Sequence, residues 1–103
     1  MGRGVTLELW LGENPGDPFV QVSPVRCLAL LEVEEGKTVK ELFQELSSKC
    51  SRIGDMVFDP NSGRFRPDVV VVKNDRLVSR ESVLGEAVSP GDSIRIVPLY
   101  MGG

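Results

Sequence analysis

The sequence predicts an α+β domain in which one amphipathic helix packs on one face of a mixed sheet of four to five strands. Three features predict this arrangement: an alternating apolar segment near the start, an apolar stripe at helical spacing, and a second alternating segment near the end. Alternation is typical of a half-buried strand, whereas a stripe with a period of roughly 3.6 residues is typical of a helix with one buried face. Because only a sheet is available to cover that stripe, the helix and the sheet must pack together.

The first strand is predicted at residues 5–11, where apolar and polar side chains alternate. Its apolar face would consist of Val5, Leu7, Leu9 and Leu11. Trp10 lies on the opposite, more polar face. Residues 12–24 contain several prolines and glycines and therefore predict a long loop, within which a short extended piece is expected around residues 19–22. The second strand follows at residues 26–34, and its alternation points Cys27 into the core.

The helix is predicted at residues 39–49. Thr38, followed three residues later by Glu41, fits a capping box, in which each side chain binds the backbone amide of the other residue. The apolar side chains at helical spacing are Val39, Leu42, Phe43, Leu46 and Cys50. Cys50 is therefore predicted to be the last core residue of the helix and not a reactive thiol.

The second half predicts short strands joined by turns. Residues 59–63 carry a strong turn signal, which favours a loop or a small hairpin. A run of valines at residues 69–72 and a polar turn at residues 73–76 predict a second hairpin. A short helical turn is expected within residues 82–88. The closing strand, at residues 93–98, has a natural place beside the first strand, and this order of elements is the β-grasp arrangement.

The composition excludes several classes of catalytic site. The chain has no histidine, so it cannot contain a Ser–His or Cys–His nucleophilic pair. Its two cysteines, Cys27 and Cys50, are too few for a zinc site or an iron–sulfur cluster. We therefore expect no bound metal or cofactor, and two buried, reduced thiols in place of a disulfide.

The charge balance argues against binding to nucleic acid. The net charge is −3, whereas a nucleic-acid interface normally needs a basic patch. The arginines that make the second half locally basic are interpreted as scattered and solvated; they are Arg64, Arg66, Arg76, Arg80 and Arg95. No apolar run approaches the ~18 residues of a membrane span. No export signal is visible either, so we expect a cytoplasmic location.

The last two residues, Gly102 and Gly103, are the candidate reactive group. Glycine has no Cβ, so such a tail leaves the terminal carboxylate unshielded and able to enter a narrow enzyme channel. The alternative is a frayed terminus, because chain ends are often poorly ordered. The two residues by themselves do not decide between these interpretations.

Three segments in order make the chain resemble the MoaD/ThiS family of ubiquitin-like sulfur carriers. They are EGKTV at residues 35–39, VVKND at residues 71–75, and GDSIRIVP at residues 91–98, which runs on to Gly102 and Gly103. The family commonly shows a Gly-Asp turn, alternating apolar residues, prolines and a terminal Gly-Gly. The departures are the approach Leu99-Tyr100-Met101, where the family often has small residues, and two segments longer than the smallest members need.

The resemblance implies a carrier and not an enzyme. A partner adenylyltransferase would use ATP and magnesium to adenylate Gly103, and sulfur transfer would then give a C-terminal thiocarboxylate. Such a carrier would donate sulfur to an acceptor enzyme in cofactor biosynthesis, as the small subunit of molybdopterin synthase does. Thiamine, cysteine and thiolated-nucleotide pathways remain open. The alternatives are a ubiquitin-like modifier, in which a substrate lysine attacks the activated Gly103, and an interaction domain whose glycines do not react.

The resemblance also suggests how the single domain, residues 1–103, would present its flexible tail at about residues 99–103. Five extended residues would reach ~16 Å from the body. The expected partner-binding residues are Trp10, Leu28, Leu30, Val97, Leu99, Tyr100 and Met101. An exposed apolar patch of this kind is often a partner site. The alternative is that the longer segments cover this face and bury Trp10 beneath them.

Overall fold

The structure is a computed structural model that describes residues 4–99. Its strands are β1 (Gly4–Leu9), β2 (Val20–Gln21), β3 (Cys27–Glu32), β4 (Phe58–Asp59), β5 (Arg64–Phe65), β6 (Val69–Lys73), β7 (Arg76–Val78) and β8 (Ser93–Pro98). Its helices are α1 (Val39–Lys49), α2 (Ser51–Met56) and a 3₁₀ turn at Ser82–Gly85.

The main sheet has six strands in the order β2-β3-β1-β8-β6-β7. β8 lies between β1, to which it is parallel, and β6, to which it is antiparallel. The predicted α+β class and the pairing of the closing strand with the first are therefore confirmed. The sheet has one strand more than the upper limit of the prediction, because Val20 and Gln21 within the first loop pair with β3.

The core lies between the main sheet and α1. Alternate residues of β1 and β8 are fully buried on the helix side of the sheet; they are Val5, Leu7, Leu9, Ile94 and Ile96. The predicted helix bounds and stripe are confirmed, with Phe43 completely inaccessible to solvent. The capping box is present as well: Thr38 N donates to Glu41 Oε1 at 2.9 Å, and Glu41 N donates to Thr38 Oγ1 at 3.2 Å. Local propensity and tertiary burial thus agree on this helix.

The segment after α1 extends the core. β4 and β5 form the small hairpin that the turn signal predicted. Phe58 and Phe65 from this hairpin pack against Phe43, with ring centroids 6.0 Å and 4.9 Å from that of Phe43. Phe65 meets both Phe43 and Phe58 edge-to-face, a geometry that stabilises a core beyond the area that it buries. This long segment therefore lies on the helix side of the sheet.

The loop between β1 and β2 also packs on the helix side. Cys50 Sγ donates to the carbonyl of Pro15 at 3.1 Å, and Cys27 Sγ lies 3.9 Å from the carbonyl of Glu13. Both cysteines are buried free thiols, as the sequence predicted. Burial raises the pKa of the Cys27 thiol above its usual value, so this sulfur is a core group and a poor nucleophile.

A network of polar side chains fixes the start of β8. Asp92 accepts hydrogen bonds from Ser89 N at 2.9 Å and from Asn74 Nδ2 at 3.0 Å, and Asn74 Oδ1 accepts from Ser93 N at 2.9 Å. Asn74 adopts a positive φ of 54° in the β6–β7 turn, a conformation that asparagine tolerates well. The network therefore ties the hairpin turn to the closing strand.

Candidate docking surface and tail base

The candidate docking surface is the face of the main sheet opposite α1, called the outer face below. Strand register and the alternation of burial assign these side chains to it: Thr6, Glu8, Trp10, Arg26, Leu28, Leu30, Val70, Val72, Leu77, Arg95 and Val97. Leu30 and Leu77 are 73% and 74% exposed. Large apolar side chains at this level of exposure are available to a partner.

Trp10 is half-buried at the centre of the outer face, between two arginines. The guanidinium carbons of Arg26 and Arg95 lie 5.0 Å and 5.3 Å from the centre of its ring system. These are cation–π distances, which favour a fixed ring orientation. The indole Nε1 donates to Glu8 Oε1 at 2.7 Å, so the polar edge of the ring is also satisfied.

Glu8 balances the charge of this cluster. Its Oε1 lies 3.5 Å from the terminal nitrogen of Arg26 and 3.6 Å from Nε of Arg95. Asp75, on the β6–β7 turn, lies 3.7 Å from the other side of Arg95. The outer face therefore carries an ordered polar centre with apolar side chains on both flanks.

Leu28 and Leu30 lie on the β3 flank of the outer face, but only Leu28 is near Trp10. In the antiparallel register, Leu28 pairs with Glu8 and Leu30 pairs with Thr6, four residues before Trp10. Four residues along a strand correspond to about 13 Å. Leu30 is thus an exposed residue at the far end of the outer face. The pair formed by Glu8 and Leu28 lies between it and the indole.

The first longer segment packs on the helix side through Pro15 and joins the edge of the sheet through β2, and the second packs on the helix side through Phe65. They do not cover the outer face of the described chain. The ring of Trp10 is instead enclosed by Arg26 and Arg95, a geometry that neither sequence interpretation included. The signal that could have revealed it is that Arg26, just before β3, and Arg95, on β8, share a face with Trp10 on either side of β1.

Val97 and Leu99 lead from the outer face to the tail. Leu9 pairs with Ile96, so the next residues along each strand, Trp10 and Val97, lie in register on the outer face. Leu99 is 54% exposed, and its N–H donates to the carbonyl of Asp68 at 2.9 Å. The backbone is therefore held to the body through Leu99, one residue beyond the end of β8. Tyr100, Met101, Gly102 and Gly103 lie outside the residues that the structure describes.

Three apolar residues of the outer face were absent from the predicted set: the half-buried Val70 and Val72 and the exposed Leu77. Val70 and Val72 alternate with the buried Val69 and Val71, so they emerge on the outer face beside Val97. Leu77 pairs with Val72 and extends this flank to the edge of the sheet. The sequence could not predict which valines of β6 face outward, because four consecutive valines make both faces of the strand apolar.

Within residues 4–99, no group of three or more cysteine or acidic side chains is arranged to hold a metal ion. Over the same part of the chain, no helix is long and apolar enough to cross a membrane.

The model of the ThiS family matches residues 23–103, which include α1, the β6–β7 hairpin, β8 and the tail. The chain belongs to the ThiS family. This result confirms the resemblance to ubiquitin-like sulfur carriers that the three sequence segments indicated.

Curated relatives agree with this assignment. The sulfur carrier protein CysO of Mycobacterium tuberculosis is 32% identical over 69 residues, which cover 66% of this chain and 74% of CysO. The CysO of Mycobacterium bovis matches equally well. Both relatives are named sulfur carrier proteins, which agrees with the assignment of the chain to the ThiS family.

Solved structures confirm the β-grasp fold. The crystal structure of small archaeal modifier protein 1 from H. volcanii matches with a TM-score of 0.65 and 22% identity, covering 94% of this chain and 98% of that protein. The solution structure of Urm1 from Trypanosoma brucei matches with a TM-score of 0.66 and 15% identity, covering 98% of this chain and 96% of Urm1. At these identities the likeness concerns the fold.

Proposed function

We propose that the chain carries sulfur as a thiocarboxylate on Gly103, formed after a partner enzyme has adenylated the carboxylate. The observation that carries this proposal is the family match, which extends through β8 to residue 103. The attachment of Leu99 to Asp68 supports it, because a firmly held strand followed by four residues defines where the tail departs. Four residues span at most ~14 Å, which is enough to enter a partner's active site.

The chemistry assigns each step to a partner and leaves presentation to this chain. A carboxylate oxygen of Gly103 attacks the α-phosphorus of ATP, and pyrophosphate leaves; magnesium is held by the partner and not by this chain. A sulfur nucleophile, either sulfide or a persulfide that a thiol later cleaves, attacks the acyl carbon, and AMP leaves. Glycines at positions 102 and 103 place no side chain in the way of these attacks.

The outer face would dock the activating and sulfur-accepting proteins in turn. Trp10 and Leu28 would form the centre of that contact, with Val97 and Leu99 continuing toward the tail and Leu30 at its rim. Tyr100 and Met101, which lie in the sequence between Leu99 and Gly102, would contact the entrance of the partner's channel. Buried aromatic and arginine side chains are the residue types that most often dominate binding energy at interfaces.

Within this class of function, the acceptor that we propose is a cofactor-synthesising enzyme of the molybdopterin synthase type, in the cytoplasm. The relation to CysO leaves other sulfur-accepting pathways as competitors. Copurification of the chain with its acceptor from the source cells, followed by identification of that acceptor, tests this finer assignment. A thiamine- or cysteine-forming acceptor would contradict it.

The activation step is tested by incubating the purified chain with ATP, magnesium, sulfide and the adenylyltransferase from the same source. We expect an intact-mass increase equal to the difference between sulfur and oxygen, localised to the C-terminal peptide. Deletion of Gly103 should abolish the increase while leaving the unfolding midpoint unchanged. An unmodified wild-type chain under conditions in which the enzyme consumes ATP would contradict the proposal.

The second candidate function is a protein modifier. It is favoured by the fold shared with small archaeal modifier protein 1, although that likeness extends to the fold alone. Both functions require the same adenylate, so they differ in what attacks it. Conjugates that are sensitive to the loss of Gly103 and resistant to thiols would support the modifier. A thiocarboxylate that accumulates without conjugates would exclude it.

A further inference from the structure

Three of the five arginines that the sequence analysis interpreted as scattered lie close together. Arg64, Arg66 and Arg80 line one cleft of about 380 Å³ between the β4–β5 hairpin and the 3₁₀ turn. Arg64 and Arg66 are alternate residues at the end of β5, and alternate residues of an extended chain point to the same side. Arg80 comes from the opposite wall, just before the 3₁₀ turn.

Among the described residues, none of these three guanidinium groups forms an ion pair with a carboxylate. Five cationic side chains have carboxylate partners; they are Arg26, Lys37, Arg52, Lys73 and Arg95. No such pair within residues 4–99 involves an arginine of the cleft. Concentrating unpaired guanidinium groups in one place costs electrostatic energy in any protein, and an anion would offset that cost.

Backbone carbonyl groups fix two of the arginines in place. Arg80 donates from one terminal nitrogen to the carbonyls of Pro67 and Val69, at 2.6 Å and 3.0 Å. Arg66 donates to the carbonyl of Gly54 at 3.2 Å. A guanidinium has five N–H donors, so each group keeps donors for a ligand while its position is already set.

Two carboxylates also line the cleft, and both accept hydrogen bonds from their own turns. Asp59 accepts from Asn61 N at 2.9 Å, and Glu81 accepts from the hydroxyl of Ser79 at 3.2 Å. Three guanidinium groups and two carboxylates leave one positive charge in the cleft, in a chain whose net charge is −3.

We infer that this cleft binds a tetrahedral oxyanion of the phosphate type, either free or as the phosphoryl group of a larger molecule. Guanidinium groups match such oxyanions with paired N–H donors, and positioned groups lose little entropy on binding. Leu84 and Pro67 supply an apolar wall beside the arginines, where the organic part of an ester would pack.

The cleft adjoins the base of the tail. The two carbonyls that hold Arg80 belong to Pro67 and Val69, and the carbonyl of the intervening Asp68 accepts the N–H of Leu99. An anion on Arg80 would therefore bind a side chain that is hydrogen-bonded to the segment anchoring Leu99. Its binding requires neither the activating enzyme nor Gly103, so this inference and the sulfur-carrier proposal can fail separately.

The test is a titration of the ¹⁵N-labelled full chain with sodium phosphate, against sodium chloride at matched ionic strength and pH. We expect saturable shifts of the amides around Arg64, Arg66 and Arg80, and a shift of the Leu99 amide. Arg64→Gln should weaken binding about tenfold, the effect of losing one charge-assisted hydrogen bond. The side chain of Arg64 makes no hydrogen bond to any other residue within residues 4–99, so this change should leave the fold intact.

Arg76→Gln is the matched control. Arg76 also lacks an ion pair among the described residues, but it lines a different cavity, beside Lys73 and Leu77. Its replacement should leave phosphate binding unchanged. Shifts that fail to saturate, an equal response to chloride, or equal losses in the two variants would overturn the inference.

Two further titrations identify the source of the ligand. Tighter binding of phenyl phosphate than of inorganic phosphate would indicate an ester that uses the apolar wall, and equal binding would indicate a free oxyanion. A glutamate-rich peptide that binds more tightly than either phosphate would overturn the inference and assign the cleft to a protein carboxylate.

Discussion

The two faces of the main sheet are built by the same strands and yet have opposite roles. On β1, Leu7 and Leu9 are completely buried against α1, while the alternating Glu8 and Trp10 are half-buried on the outer face. The inner face excludes water and is closely packed. The outer face holds an ordered polar cluster between exposed leucines. The buried inner face therefore contributes most of the stability of the fold, whereas the outer face stays accessible, as the proposed docking of partners requires.

The largest effect on stability is expected from the inner face. Phe43→Ala should lower the free energy of unfolding by about 3–5 kcal/mol, because it leaves a cavity among buried aromatic rings. The neighbouring Gln44 is exposed, so Gln44→Ala should change stability by less than about 0.5 kcal/mol. Urea denaturation of both variants measures the difference. Similar losses in the two variants would mean that α1 does not pack as described.

A smaller effect is expected from the polar cluster of the outer face. Glu8→Gln removes the charge shared by Arg26 and Arg95 and should cost about 1–2 kcal/mol. Trp10 is the only tryptophan, so its fluorescence reports the cluster directly, and we expect its emission to change. Glu32→Gln is the control, because Glu32 is an exposed residue of β3. If the fluorescence emission of Trp10 were the same in Glu8→Gln and in the wild type, the cluster would not be ordered in solution.

The turn network predicts a dependence of stability on pH. Partial burial opposes ionisation of Asp92, but the hydrogen bonds from Ser89 and Asn74 and the charge of Lys73 outweigh it and lower the pKa of Asp92. Because the pKa of Asp92 is lower in the folded state than in the unfolded state, its ionised form stabilises the fold at pH values above the unfolded-state pKa, which is roughly 3.9 for aspartate. This stabilisation is lost as the pH falls through the folded-state pKa.

Asp92→Asn should therefore be less stable than the wild type at neutral pH, and the difference should shrink below about pH 4. Asp75→Asn serves as the control, because Asp75 is highly exposed and should have little effect at any pH. Thermal unfolding at several pH values measures both variants. A constant difference between wild type and Asp92→Asn across this range would contradict the assigned role of the carboxylate.

The smallest effect on stability is expected at Leu30. Leu30→Ser removes a side chain that is 73% exposed, so the free energy of unfolding should change by less than about 0.5 kcal/mol. The same change should weaken binding to the activating enzyme only slightly, because Leu30 lies far from Trp10. A large loss of stability would mean that the outer face belongs to the core.

The sequence predicted the core elements accurately wherever local and tertiary signals agreed. The capping box at Thr38, the stripe through Phe43 and the turn at Asn74 each reflect chemistry within a few residues. The strand β2 lies where a short extended piece of the first loop was expected, but its place in the sheet depends on pairing with the distant β3.

The candidate surfaces were predicted only in part, because they depend on contacts between distant segments. Trp10 was placed on the correct face, but its enclosure by Arg26 and Arg95 arises from three different strands. Likewise, the gathering of Arg64 and Arg80 in one cleft depends on how the hairpin folds back toward the 3₁₀ turn. Spacing along the chain does not encode such neighbours.

The central claim is that this fold presents Gly103 for conversion to a thiocarboxylate. The most direct measurement is the mass of the C-terminal peptide of the chain isolated from its own cells under reducing conditions. We predict a fraction in which one oxygen of Gly103 is replaced by sulfur, and its disappearance when the adenylyltransferase is absent. A C-terminal peptide that always carries an ordinary carboxylate, or that is linked only to lysines of other proteins, would contradict the account.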